Sequence, residues 1–142
     1  MLRRPNRDEY FMGISKFVAS RSTCPRAQVG AIVVNSSNRI VGTGYNGSPP
    51  GHIHCLDVGC KIIKAEGKEY CIRTIHAEVN ALLTVDSIQD RLTMYSTHFP
   101  CFECIKVMVS KGITTVKYME EYRDPKWKVI QNEYTQISFI RI

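Results

Sequence analysis

The sequence predicts an α/β domain built as three layers, with helices on both sides of a mixed five-stranded sheet. Two observations carry that expectation. In the second half of the chain, stretches of helical period alternate with short extended stretches, the pattern of strands layered between helices. In the first half, a helix with one apolar stripe precedes two β-branched runs separated by four polar residues, which reads as a hairpin. A hairpin continued by strands that are linked through helices gives a sheet of mixed direction.

The elements follow in order. Across residues 8–20, Tyr10, Phe11, Ile14, Phe17 and Val18 recur at spacings of three and four, so these five are expected to form the buried stripe of a first helix. Residues 28–34 and 39–42 form the hairpin, with Asn35-Ser36-Ser37-Asn38 as its turn. Residues 43–74 hold glycines, prolines, histidines and three cysteines without a clear period. They are expected to form a long irregular insertion, and an ordered loop of that length needs a reason. There follow a helix over 75–85, a strand over 93–96, a helix over 101–111 stopped by Gly112, a strand over 115–119, a helix over 127–134 and a strand over 136–140.

A chain of 142 residues fits one domain, 1–142, with one functional site. Its first eight residues, Met1-Leu2-Arg3-Arg4-Pro5-Asn6-Arg7-Asp8, lack the apolar region of a signal peptide, and no later stretch approaches a membrane span. The expectation is a cytoplasmic protein without a membrane partner, in which six cysteines serve as metal ligands or catalytic groups rather than disulfides. The formal charge of +6 suits an anionic partner, but the basic residues are scattered. A phosphorylated small molecule fits as well as a nucleic acid, and so does an ordinary solvated surface.

Gly42-Thr43-Gly44-Tyr45-Asn46-Gly47 satisfies the G-x-G-x-x-G pattern of dinucleotide sites. That chemistry needs a helix directly after the glycines, its first amides facing the pyrophosphate. Here Ser48-Pro49-Pro50-Gly51 follows, which forbids a helix start, so the dinucleotide reading is rejected.

Two other pieces carry chemistry: His76-Ala77-Glu78 and Pro100-Cys101-Phe102-Glu103-Cys104, each at the opening of a predicted helix. Cys101 and Cys104 are three apart, so both sulfurs can reach one metal, with Pro100 suited to the first turn. His76 supplies a third ligand, which leaves a tetrahedral zinc one open position, as in catalytic rather than structural sites. Residues two apart diverge by about 200° on a helix, so His76 and Glu78 can share the site only at the helix start. There Glu78, a carboxylate that is not a ligand, can accept a proton from water and hand it on. The pattern H-x-E followed by P-C-x-x-C is the signature of the zinc nucleobase deaminases, which attack C4 of cytosine or C6 of adenine.

Over nearly its whole length the chain resembles the deoxycytidylate (dCMP) deaminases of the cytidine deaminase-like superfamily. The resemblance lies in residues 22–31 (STCPRAQVGA), 44–49 (GYNGSP), 73–81 (RTIHAEVNA) and Phe99-Pro100-Cys101. It implies the fold of that superfamily and zinc-dependent conversion of dCMP to dUMP and ammonia, supplying dUMP for thymidylate synthesis. It implies that Asn46 contacts deoxyribose and that the glycine-rich loop, with Gly42, Gly44 and Gly51, helps form a regulatory site for dCTP and dTTP. A tRNA adenosine deaminase is the alternative. Its relatives usually carry Glu where this chain has Phe99 and lack the Gly-Tyr-Asn-Gly-Ser-Pro loop, so a nucleotide and not a nucleic acid is the expected substrate. A zinc-stabilised binding module without turnover would leave Glu78 without a purpose.

For the phosphate of such a substrate, Arg26 is the candidate donor and Tyr122 a weaker one. Phe99 packs against the base or in the core, and the Ala77 N–H binds the cytosine carbonyl. Cys24, Cys55, Cys60 and Cys71 bracket the insertion, where some members of the family hold a second, structural zinc; His52 or His54 can replace one of them. The alternative is four reduced cysteines packed as small apolar groups. By resemblance the assembly is a homo-oligomer, often a hexamer, activated by Mg²⁺-dCTP and inhibited by dTTP.

Overall fold

The structure is a computed structural model in which residues 2–86, 91–121 and 128–142 are described. Helix α1 (Arg7–Ala19) begins where Asn6 caps it: Asn6 Oδ1 accepts from the Glu9 N–H at 2.8 Å, and Glu9 Oε2 accepts from the Asn6 N–H at 2.9 Å. The chain continues as β1 (Gly30–Val34), β2 (Ile40–Tyr45), the single turn α2 (Cys55–Val58), β3 (Ile62–Ala65), β4 (Lys68–Cys71) and α3 (Ala77–Leu83). It ends as β5 (Leu92–His98), α4 (Phe102–Lys111), β6 (Ile113–Glu120), α5 (Lys128–Glu133) and β7 (Ser138–Arg141).

Five strands form one mixed sheet in the order β2-β1-β5-β6-β7. Strand β1 runs antiparallel to β2 and β5, whereas β5, β6 and β7 are parallel, because the intervening helices α4 and α5 return the chain to the same end. Alternate residues of β1 enter different layers, so the strand is buried throughout. Ala31 and Val33 join α3 and α4 residues Ala81, Leu82, Ile105 and Met108, while Ile32 and Val34 join Phe11 and Met12 of α1. The result is the three-layer α/β/α arrangement that the sequence predicts.

The helices lie unusually close to the sheet at two points, and glycine makes each possible. A methyl group on Gly30 would overlap the Ser15 carbonyl and Ala19 amide of α1; one on Gly42 or Gly44 would overlap the backbone of α3 at Ala81. The first approach corrects the expected stripe of α1. Its buried residues are Phe11, Met12, Ser15 and Ala19, whereas Tyr10 and Phe17 are 53% and 80% exposed. Small side chains are needed where the helix crosses Gly30, and polar contacts set its rotation: Ser15 Oγ donates to the Tyr95 carbonyl at 2.8 Å, and Tyr95 Oη and Lys117 Nζ donate to Asp8 Oδ1 at 2.6 and 2.8 Å.

The insertion is more regular than expected. β2 extends to Tyr45, Gly47 pairs with Ile75 as an isolated bridge, and β3 and β4 form a separate hairpin. Glu66 and Gly67, at φ 51° and 75°, make its turn. Its side chains are exposed on both faces except at Cys71, so burial imposes no alternation for the sequence to display. Elsewhere the differences are at element ends: β5 and β6 are longer than expected, α3 starts at Ala77, and Trp127 lies outside the described residues.

The glycine contacts give a paired expectation. Gly44→Ala lowers unfolding stability by about 1–3 kcal/mol through overpacking, whereas Gly13→Ala, in mid-helix with nothing within 4 Å of the new methyl, raises it by about 0.5–1 kcal/mol. Urea denaturation of the two variants checks both signs.

Candidate active site

His76 and Cys101 occupy matching positions: each is the N-cap of its helix, α3 and α4, with extended backbone and no side-chain cap hydrogen bond. Residues of these types forgo the usual capping bond, and their side chains turn toward each other instead. Cys101 Sγ lies 3.2 Å from His76 Nδ1, Cys104 Sγ lies 3.4 Å from it, and the two sulfurs are 3.4 Å apart. Pro100 stands one residue before the cap rather than in the first turn.

The donor set fits zinc. Zinc–sulfur bonds of about 2.3 Å and zinc–nitrogen bonds of about 2.0–2.1 Å define a tetrahedron with edges of about 3.5–3.8 Å. Each contact therefore needs to widen by only about 0.2–0.4 Å to admit the ion. Three protein donors leave the fourth position open.

Glu78, the second residue of α3, is 4% exposed and flanks this triangle without completing it. Its Oε2 accepts from Cys104 Sγ at 3.7 Å, and its Oε1 accepts from Ser96 Oγ at 3.1 Å. Burial raises its pKa above the carboxylate range, opposed by its own backbone N–H, by the positive charge of His76 and by Ser96. Sequence reasoning missed Ser96. Its signal was a hydroxyl at a position where the strand alternation of Leu92 and Met94 calls for an inward apolar residue.

Without an ion the three donors share protons among themselves. The hydrogen bond to Cys101 raises His76 to about 9, and hydrogen bonds from Cys104 and then His76 lower Cys101 to about 4 against the opposing effect of burial. Cys104 is pushed far up by its bond to Cys101 and by burial.

The loop beside the site is tied to α3. Asn80 Nδ2 donates to the Tyr45 carbonyl at 2.9 Å, and Gly47 and Ile75 exchange backbone hydrogen bonds of 3.1 and 2.8 Å next to His76. Asn46 is buried; its Nδ2 donates to the Ala27 carbonyl at 2.8 Å and its Oδ1 accepts from the Val29 N–H at 2.9 Å. The side chain expected at a sugar thus holds the loop before β1. Gly42 and Gly44 are buried under α3, where an added methyl would overlap its backbone, while Gly51 is exposed with φ 82°.

Ala77 is buried at the first turn of α3, where amide groups lack helical acceptors. Of the two places expected for Phe99, base or core, it takes the core: it is 2% exposed, edge-on to Tyr118 at 5.0 Å and tilted against Phe139 at 5.2 Å. Arg26 is exposed in the loop before β1, and Tyr122 lies outside the described residues.

A second group forms in the insertion. The sulfurs of Cys55, Cys60 and Cys71 all lie within 4.8 Å of one another, with Cys55 and Cys71 at 3.6 Å. Burial first, then the neighbouring thiols, raises Cys60 to about 11. Burial also opposes ionisation of Cys71, but Thr74, the Arg73 and Lys61 amides and Cys55 together lower it to about 6. Cys24 is buried and lies outside this group of three. Nδ1 of His54 is buried without a hydrogen-bond partner, and His52 is exposed.

Comparison with known proteins follows the same lines. A model of the cytidine and deoxycytidylate deaminase zinc-binding region matches residues 5–120. The deoxycytidylate deaminase of Mycobacterium phage D29 is 40% identical over 128 residues, covering 83% of this chain and 98% of the relative. ComE operon protein 2 of Bacillus subtilis is 45% identical over 119 residues, covering 82% of this chain but 60% of the relative, and the chain spans 44% of the yeast (Saccharomyces cerevisiae) deoxycytidylate deaminase. The crystal structure of the dCMP deaminase from cyanophage S-TIM5, in complex with dCMP and dUMP, aligns with a TM-score of 0.77 at 29% identity over 99% of this chain and 100% of that one. A tRNA:A34 deaminase shares the fold alone, with a TM-score of 0.59 at 15% identity over 93% of this chain and 91% of that one.

The proton arrangement predicts how zinc uptake depends on pH. A zinc ligand must be neutral imidazole or thiolate, so between about pH 4 and about pH 9 His76 and Cys104 each lose a proton on binding while Cys101 does not. Affinity therefore rises with pH, by about 100-fold per unit near pH 7 for two protons. Chelator competition on the ion lost in Cys101→Ser checks this; a pH-independent affinity contradicts it.

Proposed function

The chain belongs to the cytidine and deoxycytidylate deaminase zinc-binding family, and from that premise we propose that it hydrolyses dCMP to dUMP and ammonia. The observation that carries the reading is the buried Glu78 carboxylate beside, and not within, the triangle of His76, Cys101 and Cys104. Support for dCMP comes from the named relatives and from Phe99 in place of the Glu usual in tRNA adenosine deaminases.

His76 Nδ1, Cys101 Sγ and Cys104 Sγ would hold zinc, which when bound supplies Lewis acidity at one open position. Glu78 then manages the protons. Its carboxylate accepts one from the attacking water, delivers it to ring N3 as the C4–O bond forms, and carries a second from the oxygen to the departing amino group. Water and dCMP become dUMP and ammonia with no net proton uptake by the protein. A pKa raised by burial makes the carboxyl a stronger proton acceptor, which suits a group that both takes and gives a proton.

Around that centre, the Ala77 N–H serves the cytosine carbonyl and Arg26 the phosphate, with Tyr122 as its companion. Asn46 shapes the sugar-facing loop through Ala27 and Val29. Cys55, Cys60 and Cys71, with Cys24 or His54 as fourth donor, hold a second, structural zinc that orders the insertion. Residues 1–142 form one deaminase domain that works in the cytoplasm and assembles as a homo-oligomer, often a hexamer in its family. It responds to Mg²⁺-dCTP as activator and dTTP as inhibitor.

Glu78→Gln is expected to retain zinc and lose at least about 10³-fold in kcat, measured as ammonia released from dCMP. A panel of dCMP, deoxycytidine, CMP and tRNA, with and without dCTP, tests substrate class and regulation together; turnover of tRNA alone overturns the reading. Arg26→Ala is expected to lower kcat/KM for dCMP more than for deoxycytidine, and an unchanged ratio removes Arg26 from the site. Metal analysis is expected to give two zinc ions per chain; one removes the structural site.

A further inference from the structure

Ser96 lies on the central strand β5, beside Ala31 of β1 and Tyr118 of β6. It is 0% exposed on a face otherwise made of Leu92, Met94, Ala31, Val33 and Val116. A hydroxyl in that setting is costly unless it is hydrogen-bonded, and alanine would fill the space. Among the described residues its hydroxyl donates to one group, Glu78 Oε1. The two oxygens of that carboxylate therefore have different surroundings: Oε1 is held from the sheet, and Oε2 faces Cys104 Sγ and the metal-ligand triangle.

We propose that Ser96 is a positioning residue that anchors one oxygen of Glu78 to the sheet, so that the other is aimed at the reacting centre. The assignment rests on the proposed deaminase reading, in which Glu78 moves the protons. A carboxylate on the first turn of α3 has side-chain freedom to lose; α3 is seated on the sheet by the close approach at Gly42 and Gly44 and by Ala77, Ala81 and Leu82, none of which holds the Glu78 oxygens. The bond from Ser96 fixes the rotation that packing leaves open. Removing it leaves Glu78 present and buried, with its own backbone N–H as a donor that rides on the helix but no tie to the sheet, so the carboxylate can turn away from the substrate, a displacement to which proton transfer is sensitive.

The test is Ser96→Ala in the zinc-loaded enzyme, with dCMP as substrate. The expected result is a fall in kcat of about 10- to 100-fold with KM changed less than about twofold and zinc content and unfolding midpoint close to the parent. A role confined to stability would instead lower the midpoint and leave kcat unchanged in the folded enzyme, and that result overturns the proposal. The second readout needs no turnover: the ¹³C resonance of the Glu78 carboxyl, assigned by its absence in Glu78→Gln, is expected to move in Ser96→Ala. An unmoved resonance overturns the anchoring whatever the kinetics. A parent enzyme that releases no ammonia from dCMP refutes the substrate reading, while the resonance still decides whether Ser96 holds Glu78.

Discussion

Two helices begin at one place, and that convergence is the constraint on which the rest of the molecule depends. His76 caps α3 and Cys101 caps α4, so the point where each helix starts is also the point where its ligand is presented. A shift of either helix by one residue along its axis, about 1.5 Å, would exceed the adjustment of a few tenths of an ångström that the triangle needs to admit an ion. The sheet sets both starts. Strand β5 leads directly into α4 through Phe99, locked between Tyr118 and Phe139, and Pro100, while α3 is seated on β2 by the absence of side chains at Gly42 and Gly44.

The same convergence separates the roles of four side chains that could all bind a metal or a proton. Cys101 and Cys104 are held within hydrogen-bonding distance of His76, and those bonds favour the thiolate at Cys101. Glu78 projects from the turn beside them into a buried position, where the loss of water keeps its carboxyl easily protonated. Ligand and acid are thus distinguished by place, a residue or two apart on one helix.

Much of this was legible in the sequence because it depends on local spacing. The helix opening at Cys101, its stop at Gly112 and the hairpin of β1 and β2 follow from short-range rules of periodicity and capping, and the grouping of His76, Glu78, Cys101 and Cys104 follows from the paired H-x-E and P-C-x-x-C signature. What was not legible depends on how elements meet. Tyr10 and Phe17 share a helical period with Phe11, but the crossing at Gly30 admits only Ser15 and Ala19, and Asp8 is drawn toward Tyr95 and Lys117. The β3–β4 hairpin has no buried face, so the alternation that reveals a strand was never written into it. The sequence left Phe99 between base and core, and it is the Tyr118 and Phe139 rings, from strands that are distant in the chain, that hold it inside. The glycine-rich stretch resembled a phosphate loop because one physical need, a backbone approached closely, underlies both; here the approaching group is α3.

The central claim is that His76, Cys101 and Cys104 share one zinc ion and that Glu78 does not touch it. The most direct measurement is anomalous diffraction at the zinc edge from crystals of the native protein. The account predicts a peak about 2.0–2.1 Å from His76 Nδ1 and about 2.3 Å from both sulfurs, with the Glu78 oxygens outside bonding distance. No peak at that point, or a Glu78 oxygen bound to the ion, would contradict it.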